Sequence, residues 1–182
     1  MGSRKFLGFM ITYREIEVNL KQIKAIHSLH SPWNPKEVQC LTGMTIALNK
    51  FISQLTNQCR LFFQLLHKWK YFIWTKECDK AFEELKKYLG HPPILSRPGK
   101  EEIFYAYVAI TTHAVSLVLV WTVEGAQKPI YYVSKSLQEA ETRYLPLEKV
   151  ILAIIHATKS CPTTFRPIQL LFSPNFPCKL YF

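Results

Sequence analysis

The sequence predicts an α+β chain in which a helical segment precedes a layered α/β unit. Three observations predict it. Capped helices dominate residues 19–90, the Pro- and Gly-rich stretch "GHPPILSRPGKEE" interrupts residues 90–102, and beyond it the apolar pattern changes from helical to strand-like. A chain of 182 residues holds one domain or two small ones and buries most of the apolar surface such folds need. With 48% hydrophobic and 20% charged residues it belongs with packed domains rather than disordered chains.

"KFLGFMITYREIEV" (residues 5–18) is rich in β-branched and aromatic residues and reads as two short strands around a turn. In "NLKQIKAIHSL", Asn19 is placed to cap a helix by accepting an orphan first-turn N–H, and Leu20, Ile23, Ile26 and His27 share one stripe. "SPW" stops that helix. A second spans "NPKEVQCLTGMTIALNKFISQL": Asn34 caps, Pro35 takes the first position, where a missing N–H costs nothing, and Val38, Leu41, Leu48, Phe51, Ile52 and Leu55 form the stripe. "RLFFQLLHKWKYFIW" reads as a short helix running into an extended piece. "TKECDKAFEELKKYLGHPP" follows as a helix capped by Thr75, buried through Ala81, Phe82, Leu85 and Leu89, and ended by Gly90, Pro92 and Pro93.

Beyond the interruption, strands are predicted over 103–110 and 114–123, then a turn at "EGAQ" and a third strand at "KPIYYVSK". A helix over "PLEKVILAIIHATKS" starts at Pro146 and turns Val150, Ile151, Ile154 and Ile155 inward, and "PIQLLF" reads as a last strand. Three strands, a helix and a strand make the first part of an α/β layer fold. The run "IFYAYVAITTHAVSLVLVW" (103–121) carries no formal charge and is long enough to span a bilayer. Thr111, Thr112, His113 and Ser116 nevertheless fall near its middle, where lipid penalises them, whereas a "TTH" turn between two strands puts them at a surface. Strands, and no membrane span, are therefore expected.

The net charge of +10 is concentrated in residues 1–100, with 16 Lys and Arg against 7 acids, compared with 7 against 6 in the remainder. A basic half containing aromatics points to nucleic acid or another anionic surface, and solvated helix faces are the competing reading. Cys40, Cys59, Cys78, Cys161 and Cys178 show no CxxC pair and no zinc-ligand spacing, so reduced and mostly buried thiols are expected. "MGSRKF" lacks the apolar core of a secretion signal. Asp79 is the single aspartate beside twelve glutamates, although two-metal phosphoryl-transfer sites gather several carboxylates around their cations.

The order of these pieces resembles the Pol polyprotein of gypsy-type LTR retrotransposons, from the end of the reverse transcriptase palm through thumb and connection into the RNase H-like domain. "FLGFMIT" with "IEVNLKQIKAI" resembles the FLG strand and the segment closing the palm, and "NPKEVQCLTGMTIALNKFISQL" resembles the thumb helix with its Leu-x-Gly and Phe-Ile landmarks. "FIWTKECDKAFEELKKYLGHPPIL" is similar to the signature just before RNase H, and "KPIYYVSKSLQEAETRYLPLEKVILAI" to the region reaching the RNase H helix. Glu15 and Leu20 depart from the glycine and proline usual at the palm end. "AVSLVLV" and "AETRYLPLEK" look most like the plant Tat-like lineage, whose first RNase H-like domain serves as a connection.

The resemblance implies a division into palm end (1–30), thumb and connection (31–95), linker (96–102) and a truncated RNase H-like α/β domain with a mixed sheet (103–182). It places the polymerase Tyr-x-Asp-Asp strand upstream, so a polymerase site is not expected. Of the three RNase H acids, Glu148 is retained, Ala109 stands for the first aspartate, and the third position falls at Pro174 or Asn175. A single carboxylate cannot hold two divalent cations, so neither nuclease activity nor binding of the parent family's Mg2+ is expected. The competing reading of Glu148 is a solvated first-turn residue favourable to the helix dipole. Lys21, Lys24, Lys36, Lys50, Lys68 and Lys70, interleaved with Trp33, Trp69 and Tyr71, are candidates for tracking the backbone of an RNA–DNA hybrid or DNA duplex. Solvated lysines and core tryptophans are the competing reading. The implied setting is intracellular, in a cytoplasmic particle or the nucleus, with palm and fingers upstream and RNase H and integrase parts downstream. A domesticated nucleic-acid-binding module and a residual RNase H are the alternatives.

Overall fold

The computed structural model describes residues 4–6, 9–11, 15–67, 72–97, 104–160, 171–172 and 179–181 of the 182. Its first layer is an antiparallel sheet in the order β1 (Arg4–Phe6), β2 (Phe9–Ile11), β3 (Glu15–Val18) and β4 (Leu95–Ser96). The sequence suggested two strands before the first helix. Three form, because residues 4–6 pair antiparallel with residues 9–11, and a fourth arrives from the far side of the helices when Leu95 pairs with Ile16.

Helix α1 (Leu20–His27) starts where Asn19 accepts the N–H of Lys21 at 3.0 Å. Ile23 and Ile26 are buried as expected, but Leu20 and His27 are exposed: Leu20 lies in the opening turn and His27 at the closing residue, beyond the reach of the core. Helix α2 (Pro35–Ala47) has the predicted cap, in which Asn34 accepts the Glu37 N–H at 2.9 Å. Glu37 reciprocates by accepting the N–H of Trp33 at 3.1 Å. The single long helix read from the sequence breaks at Leu48 into a 3-10 turn (Asn49–Phe51) followed by α3 (Leu55–Gln58). Val38, Leu41, Leu48, Phe51, Ile52 and Leu55 are all buried nonetheless, since the break re-aims the second half of the stripe at the same core.

Helices α4 (Arg60–His67) and α5 (Lys76–Leu89) complete the first unit. Trp74 stacks on Phe62 with ring centroids 5.7 Å apart and meets Phe82 edge-on at 6.3 Å. Tyr88 of α5 ties down the 3-10 turn: its hydroxyl accepts the Ser53 N–H at 3.0 Å and donates to the Phe51 carbonyl at 3.2 Å. Asp79, the single aspartate, accepts from Ser31 Oγ and Trp74 Nε1, each at 2.7 Å, and so joins α5 to the loop ahead of α2. These two hydrogen bonds, Trp74's first, hold its carboxyl below the usual range.

The second sheet runs β7 (Ala126–Ser136), β6 (Ala114–Val123), β5 (Phe104–Ile110), β9 (Lys179–Tyr181), β8 (Leu171–Phe172). The charge-free run is thus two strands joined at Thr111–His113, and no helix of the described residues is long and apolar enough to cross a membrane. Its continuity has a physical cause, because β6 is covered on both faces and Ala114, Val115, Ser116 and Leu117 are all buried in succession. Glu124 (φ 49°) and Gly125 (φ 80°) make the two-residue connection to β7, both in the left-handed region that a primed hairpin turn demands. A bulge opposite Leu119 and Val120 lets Ile130 and Tyr131 both face the core.

The expected mixed sheet gives way to one whose described ladders are all antiparallel. The return strand after the last helix, β8, runs in the direction of β5, but β9 lies between them and removes the parallel pairing. Of the predicted strand "PIQLLF", Leu171 and Phe172 are within the described residues, as is β9, which the sequence did not suggest. A short helix, α6 (Glu139–Thr142), precedes α7 (Pro146–Ser160). Helix α7 buries Val150, Ala153 and Ala157 against the sheet. Ile151 and Ile155, expected inside, are exposed, because the sheet contacts only the narrow side of α7 carrying the two alanines.

Candidate functional site

Side chains alternate across a strand, so Ala106 and Val108, packed with α7, leave Ala109 on the opposite face of β5. Ala109 pairs with Ser116, and Ser116 with Ser134, in one row across three strands. The Ser116 and Ser134 hydroxyls lie 3.0 Å apart, and Ser134 Oγ accepts the Thr56 N–H of α3 at 3.1 Å. Beside them Thr111 donates to Asn57 Oδ1 at 3.1 Å. This row is a seam joining the helical unit to the second sheet, with a cleft of about 490 Å3 alongside, lined by Ile46, Leu55, Phe63, Ser134 and neighbours.

Glu148 stands in the first turn of α7, after Pro146, and its Oε2 accepts the Leu145 N–H at 2.8 Å. That is the reaching-back half of a capping box, on an exposed side chain. Glu141 is also engaged, in an ion pair with Lys135 and by accepting the Gln138 N–H at 2.8 Å. The Lys135 hydrogen bond, and then that of Gln138, hold its carboxyl low. Pro174 and Asn175 lie outside the described residues. Within the described residues, no three His, Cys, Asp or Glu side chains gather where they could hold a cation. The two positions that the sequence resemblance assigns to the first and second acids carry a methyl group at Ala109 and a cap-forming carboxylate at Glu148. This pair does not fit a two-cation centre, in which each ion takes several hard oxygen ligands.

The basic candidates within the described residues are distributed over three elements. Lys21 and Lys24 lie on the exposed side of α1, Lys36 in the first turn of α2, and Lys50 in the 3-10 turn. Lys50 Nζ lies 5.6 Å from the centre of the Tyr131 ring and so reaches across to the second sheet. Among the described residues none of these four lysines is ion-paired. Lys68 and Lys70, with Trp69 and Tyr71, lie outside the described residues. Trp33, which the competing reading put in the core, is 78% exposed immediately before α2.

The sequence reading missed the outer face of α2. Opposite its buried stripe, Lys36, Gln39, Gly43 and Ala47 recur at helical spacing and are all exposed. Nothing lies within 4 Å of the place a Gly43 side chain would take. The signal was available as the small and polar residues between the stripe positions. The thiols divide as well: Cys59 and Cys78 are buried, Cys40 is exposed, and Cys161 and Cys178 lie outside the described residues.

Comparison with known proteins places this geometry. The family described as the RNase H-like domain found in reverse transcriptase matches residues 74–169, more than half of the chain. The Retrovirus-related Pol polyprotein from transposon 297 of Drosophila melanogaster is 33% identical over 157 residues, covering 85% of this chain and 14% of the polyprotein. The Transposon Tf2-3 polyprotein of Schizosaccharomyces pombe is 27% identical over 175 residues, covering 92% of this chain and 13% of the polyprotein. The chain therefore spans a small part of the length of these relatives. Among solved structures, the foamy viral protease-reverse transcriptase in complex with an RNA/DNA hybrid superimposes with a TM-score of 0.73 at 23% identity, over 88% of this chain and 22% of that one. The same enzyme in complex with dsDNA gives 0.73 at 22% identity, over 90% and 34%. The fold is thus that of a reverse transcriptase segment, and the chain belongs to the family of RNase H-like domains found in reverse transcriptase, as part of a retrotransposon Pol polyprotein.

Proposed function

We propose that the chain grips a nucleic-acid duplex for a gypsy-type retrotransposon reverse transcriptase and that its RNase H-like domain is an inactive connection between units. The observation that carries the reading is the exposed face of α2, where Lys36 precedes the low-relief strip of Gln39, Gly43 and Ala47 and exposed Lys50 follows in the 3-10 turn. A strip without bulk lets a sugar-phosphate backbone approach, and Lys36 and Lys50, neither ion-paired among the described residues, can neutralise phosphates without first breaking ion pairs. Lys21, Lys24 and the exposed Trp33 extend the basic surface, and Lys68 and Lys70 belong to the same proposal. The foamy viral enzyme's complexes with RNA/DNA hybrid and dsDNA support a duplex as the ligand.

Inactivity rests on the donor set at Ala109 and Glu148, and on the seam that puts α3 over Ser116 and Ser134. In this reading the divisions fall at 1–30, 31–95, 96–102 and 103–182, no Mg2+ is held, and the lineage is the plant Tat-like one. The parent polyprotein supplies palm and fingers before the chain and RNase H and integrase after it, in a cytoplasmic particle or the nucleus. Reading the flanking genomic sequence for Tyr-x-Asp-Asp upstream and a second RNase H downstream tests the lineage.

Two measurements on the 182-residue chain test the function. Affinity for a DNA duplex is expected to fall steeply between roughly 50 and 200 mM salt, and each phosphate-contacting lysine changed to alanine to flatten the log–log slope by about 0.9. Unchanged slope in the Lys21, Lys24, Lys36 and Lys50 alanine variant would remove those residues from the interface. No cleavage of an RNA–DNA hybrid is expected with Mg2+ or Mn2+. Metal-dependent cleavage lost in Glu148→Gln would instead establish a residual RNase H.

A further inference from the structure

The outward side of α7 presents an exposed apolar stripe that no described residue covers. Leu147, Ile151 and Ile155 are spaced by four residues and are 58%, 48% and 45% exposed, while Val150, Ala153 and Ala157 on the opposite side hold the helix to the sheet. Exposed Tyr144 extends the apolar surface ahead of the first turn. An isolated exposed leucine needs no explanation, but three branched side chains in line along one helix mark a surface built to be covered.

The charges beside the stripe indicate what covers it. Glu148 and Lys159 are both exposed and lie eleven residues apart, which is three helical turns, so they flank the same edge of the stripe at opposite ends. Among the described residues neither is ion-paired. When two helices pack antiparallel, residues on the same edge meet. Two copies of α7 related by a twofold axis near Ala153 place Ile151 of each copy against Ile155 of the other. To within one residue the same register places Glu148 against Lys159 at both ends. A parallel twofold pair turns that edge to opposite sides of the contact, so Glu148 and Lys159 would find no opposite charge across it. The pattern is therefore its own complement in one arrangement, the self-matching surface of an isologous contact.

We propose that the outer face of α7 is a homodimer interface in which two copies of this chain pack α7 against α7, antiparallel. Sedimentation velocity on the full 182-residue chain, at concentrations on the order of 1 to 100 μM, tests it. The wild-type chain is expected to form dimers in a concentration-dependent way. Ile151→Glu, at an exposed position that leaves the fold unchanged by far-UV circular dichroism, is expected to sediment as a monomer throughout. Lys159→Glu turns two symmetry-related attractions into repulsions and should raise the dissociation constant about tenfold. Mixing Lys159→Glu with Glu148→Lys chains opposes each new charge to its complement, and should bring the heterodimer to within about threefold of wild type. A wild-type chain that stays monomeric, in which case the stripe serves another protein or none, overturns the proposal. So does Ile151→Glu dimerising like wild type, or a mixture that associates no better than Lys159→Glu alone.

Discussion

Ser134→Ala is the sharpest test of whether the helical unit and the second sheet behave as one body. The Ser134 hydroxyl is the only atom shared by the two halves of the seam's central link: it accepts the Thr56 N–H at 3.1 Å and lies 3.0 Å from Ser116 Oγ. Removing it orphans a backbone donor at the start of α3 and a hydroxyl on Ser116, a residue only 6% exposed. Each unsatisfied group costs about 1–3 kcal/mol where it is buried, and the lower end applies to partly buried groups, so the variant should lose roughly 2–3 kcal/mol. In the Ser116→Ala/Ser134→Ala double variant only the Thr56 N–H is left without a partner. It should therefore be more stable than the sum of the single effects predicts, by about 1 kcal/mol. Urea unfolding followed by tryptophan fluorescence and by far-UV circular dichroism reads both quantities, and in a single coupled body the two signals share one midpoint. A loss below about 0.5 kcal/mol in Ser134→Ala, or strict additivity in the double variant, would refute the seam as described.

Further outcomes follow from other contacts. Because the folded Asp79 titrates below its unfolded value, its stabilisation is complete above the unfolded pKa of about 4 and is lost as pH falls through the lower folded value. Asp79→Asn should therefore flatten the acid limb of the stability curve while leaving it parallel to wild type near neutrality. Burial pushes the Cys59 thiol up to about 12, so alkylation near neutral pH followed by peptide mass spectrometry should modify exposed Cys40 readily and Cys59 only after unfolding. Gly125→Ala forces a side chain into φ 80° and should destabilise by about 1–2 kcal/mol, measurable as a shifted denaturation midpoint with unchanged slope. Phe82→Ala removes a fully buried ring from between α5 and Trp74 and should cost about 3–5 kcal/mol.

Much of this protein is legible in the sequence because it depends on neighbours along the chain. The caps at Asn19 and Asn34, the start of α7 at Pro146 and the strands on either side of Thr111–His113 arise from side chains and backbone groups within a few residues of one another. The absence of an aspartate at position 109 is likewise a matter of reading residues in order.

Tertiary structure decided the rest, where the outcome depends on what approaches from a distance. Periodicity can propose that Ile151 and Ile155 face inward, but only the sheet's contact with Ala153 and Ala157 turns them to solvent. A β-branched run suggests a buried strand, yet that β6 is covered on both faces follows from the helical unit docking opposite α7. Ser116 and Ser134 are unremarkable until α3, some eighty residues before Ser134, brings the Thr56 N–H to them. The sequence alone determined which local elements the chain forms and which side chains stand at each position. Packing across long separations determined which faces remain exposed, since burial belongs to the assembled layers and not to any single segment.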